Sequence, residues 1–464
     1  MKYTFPDDFL FGASVWATGT EGAAYSDGKS ETVWDRGYRL DPGRFYERVS
    51  PDDTLDMYHD YHQEVEAVRK MGLSSYRTSV LWSRLIPDGI NVNQKAAEYY
   101  RNMFRSFKEQ GLFLSVVLYW FDMPAYLEDK GGFSNPSIID NFVYYCQKCV
   151  ELFDGLVDGW FIYNEPIMDV LFKYQIGICY PWQCDIAKSL KACYNMIIAH
   201  RKAVEVFKKT GTKGRIGTVL NQGIVYQRSQ NPEDLQAAEM YRLVNYEVFE
   251  KPLLKGEISS EWLNFRHKYT DIETIESNSQ LIKNNTVSFL GINIYTPIRV
   301  KGRETVEIQE PIRMDYVKSS FWEHYRNPEG HFNKDRGWEI YPQVIYDLLI
   351  RNKIEYPDIE MMITENGMGI HGESRYRNAD GIIEDDYRIE FISEHLKYVH
   401  KALKEGVRLM GYNVWSLVDL WSPTSQFKNC YGLYEYDRDS KKIREKKSAQ
   451  WYAELIKHRG FEGE

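Results

Sequence analysis

Two glutamates each follow an apolar segment and precede a turn residue. Glu165 comes after residues 160–164 and before a proline, and Glu365 comes after residues 361–364 and before an Asn-Gly pair. A carboxylate is rarely buried without a partner, so an acid at the end of an apolar strand costs stability unless it has a use. Each glutamate alone could cap a loop amide or pair with an arginine. Together, two carboxylates could hydrolyse a glycosidic bond, one as nucleophile and the other as acid and then base.

The two carboxylates would need unequal surroundings. A nucleophile must stay ionised, which a nearby cation favours, whereas an acid must keep its proton, which burial and a negative neighbour favour. Arg77 is a candidate cation and Tyr295 a candidate hydrogen-bond donor, although each could equally be a structural contact. A sugar site also needs aromatic rings against the apolar face of the sugar, and Trp338 and Trp415 are the candidates.

Short apolar runs alternate with longer segments of helical period, which is typical of parallel strands joined by crossover helices. The eight candidate strands are Phe9–Ser14, Ser74–Thr78, Phe113–Tyr119, Gly159–Asn164, Arg215–Asn221, Ser288–Ile294, Glu360–Glu365 and Leu409–Ser416. An open doubly wound sheet would need a glycine-rich phosphate turn after its first strand, which is absent here. The pattern therefore predicts an α/β fold, a single (β/α)8 TIM barrel with long loop insertions and its chemistry at the carboxyl ends of the strands.

Helical periodicity fills the segments between the strands. Predicted helices include Thr54–Met71, Gln94–Gln110, Ser137–Phe153, Ala187–Lys209 and Asp385–Glu405. Glycines follow several of them, at Gly72, Gly111 and Gly406, where the end of a helix favours a positive φ. No linker rich in serine, glycine and proline divides the chain, so residues 1–464 are expected to form one catalytic domain.

The composition argues against several classes of protein. The 464 residues are 43% apolar and carry a net charge of −9, so the chain can bury a large core but offers no basic surface for nucleic acid. Its apolar runs are far shorter than the roughly 20 residues of a membrane span. The first eight residues carry two acids and a proline where a secretory signal would be apolar. We therefore expect a cytoplasmic protein without a membrane or nucleic-acid partner.

Cysteines and histidines give no sign of a metal site. The six cysteines are too sparse for a disulfide framework. Cys146 and Cys149 form a C-x-x-C motif, but they lie on a helical pattern without the second pair that a zinc site would need. The histidines lack metal-ligand spacing, and hydrolysis needs only water. No metal or cofactor is expected.

Motifs that recur in one order along the chain resemble glycoside hydrolase family 1, the family of β-glucosidases and 6-phospho-β-glucosidases. They are Phe11-Gly12-Ala13, Glu21-Gly22, Arg77-Thr78-Ser79, Trp82-Ser83-Arg84, Leu127–Gly132, Asn164-Glu165-Pro166, Phe289–Asn293, Gly337–Pro342, Thr364–Gly367, Trp415-Ser416-Leu417 and Tyr431-Gly432-Leu433. The resemblance covers nearly the whole chain and implies the same barrel fold. It also implies that Glu165 is the acid/base and Glu365 the nucleophile of a retaining enzyme, whose carboxyl groups lie roughly 5 to 5.5 Å apart.

The resemblance also implies supporting roles. Asn164 would bond the 2-hydroxyl of the sugar, while Arg77 and Tyr295 would orient and charge the nucleophile. Asn293 matches a residue near the acid/base, and Trp415 matches the floor of the glycone pocket.

Two positions depart from the family pattern in the glycone pocket. Gly19 stands where the family has a glutamine that holds the 3- and 4-hydroxyls, and Trp120 stands where it usually has a histidine. Sugar hydroxyls that lose their partners on burial cost on the order of 1 to 3 kcal/mol each. An ordinary glucose should therefore bind poorly beside Trp120.

The loop after the last strand departs as well. Plain β-glucosidases carry a Glu-Trp pair where this chain has Ser422 and Pro423. Phospho-glycosidases of the family hold a 6-phosphate with a serine, a lysine and a tyrosine, and Ser422, Lys428 and Tyr431 fit that order. Against this, Cys430 replaces a residue that is often basic, and Lys428 could be a solvated loop lysine.

The sequence thus supports a retaining β-glycosidase that acts on a small-molecule β-glycoside, with a 6-phospho-β-glucoside as the leading substrate. One alternative is a β-glycosidase for an unphosphorylated, unusual or 3/4-substituted glycone. Another is a sugar-binding barrel that has lost catalysis, although such a relic would not need two carboxylates that repel each other.

Overall fold

The computed structural model describes residues 1–270, 275–304 and 321–463. Within these ranges, eight parallel strands close into a barrel in chain order, each beside its successor and the last beside the first. The strands are β1 Leu10–Ser14, β2 Ser75–Ser79, β3 Phe113–Tyr119, β4 Gly159–Asn164, β5 Arg215–Asn221, β6 Phe289–Asn293, β7 Glu360–Asn366 and β8 Leu409–Trp415. The predicted (β/α)8 barrel is confirmed, and β3, β4 and β5 have the predicted bounds.

Helices between the strands form the outer layer. They are α1 His62–Met71, α2 Gln94–Lys108, α3 Ile138–Phe153, α4 Ile186–Thr210, α5 Ile275–Asn284, α6 Gln343–Glu355, α7 Asp386–Lys404 and α8 Lys447–His458. Further α-helices are Ala17–Thr20, Val33–Leu40, Trp82–Leu85, Ala125–Glu128, Pro166–Val170, Pro232–Arg242, Val248–Glu250 and Ser260–His267. In the described ranges no helix is both long enough and apolar enough to cross a bilayer.

Short irregular helices and accessory strands complete the described elements. The 3-10 turns are Pro42–Arg44, Tyr46–Arg48, Gly132–Ser134 and Glu373–Tyr376, and the π-helical turns are Leu171–Gln175, Leu243–Glu247 and Lys251–Lys255. The accessory strands are Lys2–Thr4 paired with Gly460–Glu462, Tyr434–Asp437 paired with Lys442–Glu445, and a sheet of Val225–Gln227, Ile298–Lys301 and Glu323–His324.

One predicted helix begins later than the sequence indicated. The pattern over residues 54–71 predicts a single helix, whereas α1 begins at His62. The backbone N–H of Met57 instead donates to the Thr20 carbonyl at 3.0 Å, which ties this segment to the chain after β1. The apolar side chains that suggested a helix are therefore buried by a loop contact, so the predicted start at residue 54 is wrong.

The barrel strands are buried on both faces, which explains why they read as nearly continuous apolar runs. Inside the barrel, the rings of Phe161 and Phe289 stack with centroids 4.8 Å apart. Gly217 on β5 allows this packing, because a side chain there would overlap the carbonyl oxygen of Phe289. The close-packed interior supports the carboxyl ends of the strands, where the candidate site lies.

Candidate active site

Glu165 and Glu365 are both buried at the carboxyl end of the barrel. Glu165 directly follows β4 in a left-handed conformation with φ of 45°, and Pro166 then starts a short helix. Such a φ is unfavourable for a residue with a Cβ, so the surrounding structure must hold it. Glu365 is the last residue but one of β7. The two strands thus direct both carboxyl groups into one mouth, where the charge of Glu365 acts on Glu165.

The side chain of Asn293, the last residue of β6, adjoins both carboxyl groups. Its Nδ2 donates to Glu165 Oε1 at 2.8 Å and to Asn164 Oδ1 at 3.0 Å. Burial raises the pKa of Glu365, and the hydrogen bonding of Asn293 acts against that rise. Thr364 Oγ1 donates to Asn293 Oδ1 at 2.7 Å, which fixes the orientation of the amide. Sequence reasoning missed this role for Thr364, although the residue lies within the quoted Thr364–Gly367 motif.

Arg77 on β2 pairs with Glu365 in the interior. Its Nη1 donates to Glu365 Oε1 at 2.7 Å, and its Nη2 donates to Asn164 Oδ1. The guanidinium also lies 4.1 Å from the centre of the Trp120 ring. A buried charge of this kind persists because a carboxylate and a π face replace its lost hydration.

Tyr295 contacts the other oxygen of the same carboxylate. Its hydroxyl donates to Glu365 Oε2 at 2.5 Å. Its ring packs against Trp338, with centroids 5.4 Å apart, and meets the ring of Tyr431 edge-on at 6.4 Å. The structure therefore brings the predicted residues Tyr295, Trp338 and Tyr431 together along one wall.

Burial raises the pKa of both glutamates, but different neighbouring groups act on each one. Burial raises the pKa of Glu165 to about 8, with a further contribution from the charge of Glu365. Burial also raises the pKa of Glu365, but the charge of Arg77 and the hydrogen bond from Tyr295 act against that rise. Cation and donor favour the ionised form of Glu365, whereas Glu165 keeps its proton at neutral pH. The arrangement can therefore supply one nucleophilic carboxylate and one carboxylic acid.

Two tryptophans form the base of the mouth. The rings of Trp120 and Trp415 lie with centroids 5.6 Å apart and are tilted by 42°. The backbone carbonyl of Trp120 accepts a hydrogen bond from the indole N–H of Trp16 at 2.8 Å, which ties the main chain at Trp120 to the segment after β1. The predicted floor residue Trp415 thus packs against Trp120, whose ring lies over the Arg77 guanidinium.

The space beside Gly19 is closed. Its carbonyl accepts hydrogen bonds from Thr54 Oγ1 and from the N–H of Trp421. A Cβ at this position would overlap the Trp421 carbonyl oxygen and lie 2.9 Å from Leu420 Cδ1. The loop after β8 therefore packs directly on Gly19 and occupies the place of a side chain.

The three predicted phosphate ligands have different surroundings in the structure. Ser422 sits in a tight turn, where it exchanges backbone hydrogen bonds of 3.1 and 2.8 Å with Gln426. Tyr431 is buried beside Tyr295. Lys428 is exposed, and its Nζ lies 5.4 Å from the centre of the Tyr46 ring. It lines a cavity of about 290 Å³ whose wall includes neither glutamate.

A different cation lies at the wall of the site. Arg336 stacks on Trp338, with its guanidinium carbon 4.5 Å from the ring centre. Its Nη2 donates to Thr424 Oγ1 at 3.0 Å. Sequence reasoning missed Arg336, although it directly precedes the quoted Gly337–Pro342 motif, and a charged residue at the edge of that motif was the available signal.

The acidic cluster that comes nearest to a metal site in the described ranges is already paired. Glu373, Asp419 and Cys430 bring their ligand atoms within 4.8 Å of one another. Lys446 Nζ, however, lies 2.5 Å from Glu373 and 2.8 Å from Asp419, and Arg388 also pairs with Glu373. These carboxylates therefore belong to a buried ion-pair network.

Comparisons with known proteins cover essentially the whole chain. A family model described as glycosyl hydrolase family 1 matches residues 1–461. The 6-phospho-beta-glucosidase GmuD of Bacillus subtilis is 37% identical over 463 residues, 99% of each chain. The 6-phospho-beta-galactosidase of Clostridium acetobutylicum is 32% identical over 97% of this chain and 96% of its own. A family 1 b-glucosidase structure from Thermotoga maritima has a TM-score of 0.90 at 30% identity, covering 100% of both chains.

Proposed function

The chain belongs to glycosyl hydrolase family 1, and we propose that it hydrolyses 6-phospho-β-glucosides with retention of anomeric configuration. Family membership, together with the intact pair Glu165 and Glu365, argues against the alternative of a sugar-binding barrel without catalysis. The observation that carries the proposal is the contrast between these two buried carboxyl groups. Glu365 bonds a cation and a phenol, whereas among the described residues the Glu165 carboxyl group bonds only an amide.

In the first step, the ionised Glu365 attacks the anomeric carbon and the glycosidic bond breaks. The bonding electrons leave with the glycosidic oxygen, which takes the proton of Glu165. Asn164, held by Arg77 and Asn293, would contact the 2-hydroxyl of the sugar. The product of this step is a glycosyl ester on Glu365 and a free alcohol.

In the second step, water attacks the same carbon and Glu165, now ionised, accepts its proton. Glu365 leaves as a carboxylate, and both glutamates return to their starting states. Two inversions give net retention. Arg77 and Tyr295 favour the carboxylate of Glu365 both before attack and on departure.

The proposal of a phosphorylated substrate is supported by two positions of the glycone pocket that offer no hydrogen-bonding side chain to sugar hydroxyls. The space at Gly19 is closed by the loop after β8, and the ring of Trp120 lies over Arg77 where a hydrogen-bonding side chain would meet sugar hydroxyls. A pocket with fewer hydroxyl partners needs binding energy from elsewhere, and an anionic substituent can provide it. The relative GmuD carries the corresponding name. Ser422 and Tyr431 remain proposed ligands of the phosphate.

A second candidate is a glycone substituted at its 3- or 4-position. The apolar faces of Trp120 and Trp415 favour it, because they would accept an apolar substituent but offer no donors to hydroxyls. For the phosphorylated substrate we propose a cytoplasmic location. A phosphorylated sugar carries a charge that is costly to move through a bilayer, so it must be made or released inside the cell before it is hydrolysed.

The test compares 4-nitrophenyl 6-phospho-β-D-glucoside with its unphosphorylated counterpart. We expect a higher kcat/KM for the phosphorylated compound, and proton NMR should show the β-anomer of the released sugar first. Faster turnover of the unphosphorylated compound would overturn the proposed substrate class. Release of the α-anomer would overturn the retaining mechanism.

A further inference from the structure

Arg336 connects two loops at the wall of the candidate site. It lies between β6 and β7 in the chain, and its Nη2 donates to Thr424 Oγ1, in the loop that follows β8, at 3.0 Å. Its guanidinium carbon lies 4.5 Å from the centre of the Trp338 ring. Hydrogen bond and stacking together hold the flat face of this cation against an indole.

The position of Arg336 relative to the nucleophile follows from a short series of contacts. The ring of Trp338 packs on Tyr295 at 5.4 Å, and Tyr295 donates to Glu365 at 2.5 Å. Burial raises the pKa of the Tyr431 phenol, while the charge and hydrogen bonding of Arg336 act to lower it. Since Tyr431 also meets Tyr295 edge-on, Arg336 lies one aromatic ring away from the ring that holds the nucleophile.

The charge of Arg336 has no carboxylate partner within 4 Å in the described ranges, unlike that of its neighbours. Arg375 pairs with Asp335 at 2.9 Å, and Arg299 pairs with Glu339 at 2.7 Å. The Nε of Arg336 is buried and bonds to no group in the part of the chain that the structure describes. Because no carboxylate in the described ranges neutralises this guanidinium, an anionic ligand would bind it favourably.

The family resemblance suggested Lys428 as the cation that binds the phosphate, but this side chain lies at a different cavity. Its Nζ lies over Tyr46, and the cavity it lines also includes Glu47, Glu373 and Glu435 but neither Trp338 nor Tyr431. Lys428 therefore lines a cavity that lacks the aromatic residues beside the nucleophile.

We propose that Arg336 binds an anionic group carried on C6 of the glycone, a role that rests on the proposed function. The planar fork of a guanidinium can donate two parallel hydrogen bonds to a phosphate or a carboxylate. The Tyr431 phenol lies beside this fork and can donate a further bond. The shared chemistry is therefore an oxyanion at C6, and a 6-phosphate and a 6-carboxylate are its two possible sources.

The experiment measures kcat and KM of the wild type and of Arg336→Gln on three 4-nitrophenyl substrates: the 6-phospho-β-glucoside, the β-glucuronide and the β-glucoside. We expect Arg336→Gln to lower kcat/KM for the phosphorylated substrate by about 100-fold, mainly through KM, and to affect the β-glucoside far less. Arg336→Lys, which keeps the charge but loses the fork, should recover part of the loss.

Arg375→Gln is the matched control, because it removes an equal charge from a neighbouring arginine that is paired with Asp335. The ratio of kcat/KM between the phosphorylated and plain substrates should stay within about threefold of the wild type in this variant. Thermal melting of each variant shows whether the fold is retained.

An unchanged ratio in a folded Arg336→Gln variant, or a loss confined to Lys428→Gln, would overturn the inference while the proposed function stands. If the wild type preferred the glucuronide and lost that preference in Arg336→Gln, the anion site would be supported and the phosphate of the proposed function overturned. A wild type that prefers the plain glucoside would overturn the proposed function itself.

Discussion

Arg77 and Glu365 form a buried ion pair, in which Nη1 lies 2.7 Å from Oε1. The two residues come from β2 and β7, which do not neighbour each other in the barrel. Because the pair lies out of contact with bulk water, its attraction is weakly screened and its geometry is fixed by the strands. The pair therefore holds the Glu365 carboxylate in a fixed position and favours its ionised form.

Arg77→Gln should lower kcat/KM by at least about 100-fold and shift the acidic limb of its pH profile to higher pH. Burial raises the pKa of Glu365 and the charge of the guanidinium acts against that rise. Removal of the guanidinium therefore raises this pKa further, and less of the nucleophile is ionised at a given pH. The measurement is the pH dependence of kcat/KM between pH 4 and 9. Arg84→Gln, which breaks the buried pair with Glu21 instead, is the control for general destabilisation. An acidic limb in the same place for Arg77→Gln and wild type would contradict this role of the arginine.

Glu165→Gln should make the fold more stable at neutral pH even though it removes the acid. The pKa of Glu165 is about 8 in the folded protein, against a usual value of 4.5. Its contribution to stability is therefore complete below about pH 4.5 and is lost as the pH rises toward 8. At pH 7 the substitution should raise the free energy of unfolding by about 1 to 3 kcal/mol.

Urea unfolding of Glu165→Gln and wild type at pH 5 and pH 8 tests this expectation. The gain in the free energy of unfolding should be larger at pH 8 than at pH 5. Glu250→Gln is a control that should change the free energy of unfolding in the opposite direction. Arg351 lies 2.8 Å from this buried glutamate and lowers its pKa. That control should destabilise the fold. A Glu165→Gln variant that is no more stable than wild type at pH 8 would refute the elevated pKa.

Glu365→Gln should lower the pKa of Glu165. The negative charge of Glu365 raises that pKa, and the neutral amide removes the repulsion without changing the shape of the side chain. Carbon-13 NMR of labelled glutamate side chains can follow the Glu165 titration in this inactive variant. A pKa that stays unchanged would mean that the two carboxyl groups do not interact.

Gly19→Gln, which installs the residue that the family resemblance suggests at this position, should fail to create a β-glucosidase. The new Cβ would overlap the Trp421 carbonyl oxygen, and so would the Cβ of Gly19→Ala. Both variants should lose about 1 to 3 kcal/mol of stability through overpacking. Denaturant unfolding measures the loss, and assays on the plain glucoside measure the activity. A stable Gly19→Gln variant with raised glucosidase activity would show that the slot is open.

The sequence was sufficient to predict the barrel and the pair Glu165 and Glu365, because both depend on local signals. A parallel strand buried on both faces is a continuous apolar run, and an acid at its end is conspicuous. The start of α1 could not be predicted, since the contact of Met57 with the Thr20 carbonyl joins two loops.

The directions of side chains on long loops could not be predicted from the sequence either. Lys428 and Arg336 are both loop cations, and the family resemblance favoured Lys428 for the phosphate. Their directions depend on partners far away in sequence, Tyr46 for the lysine and Trp338 with Thr424 for the arginine. Loop side chains of this kind are set by tertiary contacts and carry no periodic signal.

Covalent trapping of the glycosyl-enzyme intermediate identifies the nucleophile directly. The protein would be incubated with a 2-deoxy-2-fluoro-β-glucosyl fluoride bearing a 6-phosphate, in which fluorine slows hydrolysis of the intermediate, and then digested for peptide mass spectrometry. We expect one sugar equivalent attached to Glu365 and none in Glu365→Gln. A label on any other residue, or release of sugar without a covalent adduct, would contradict it.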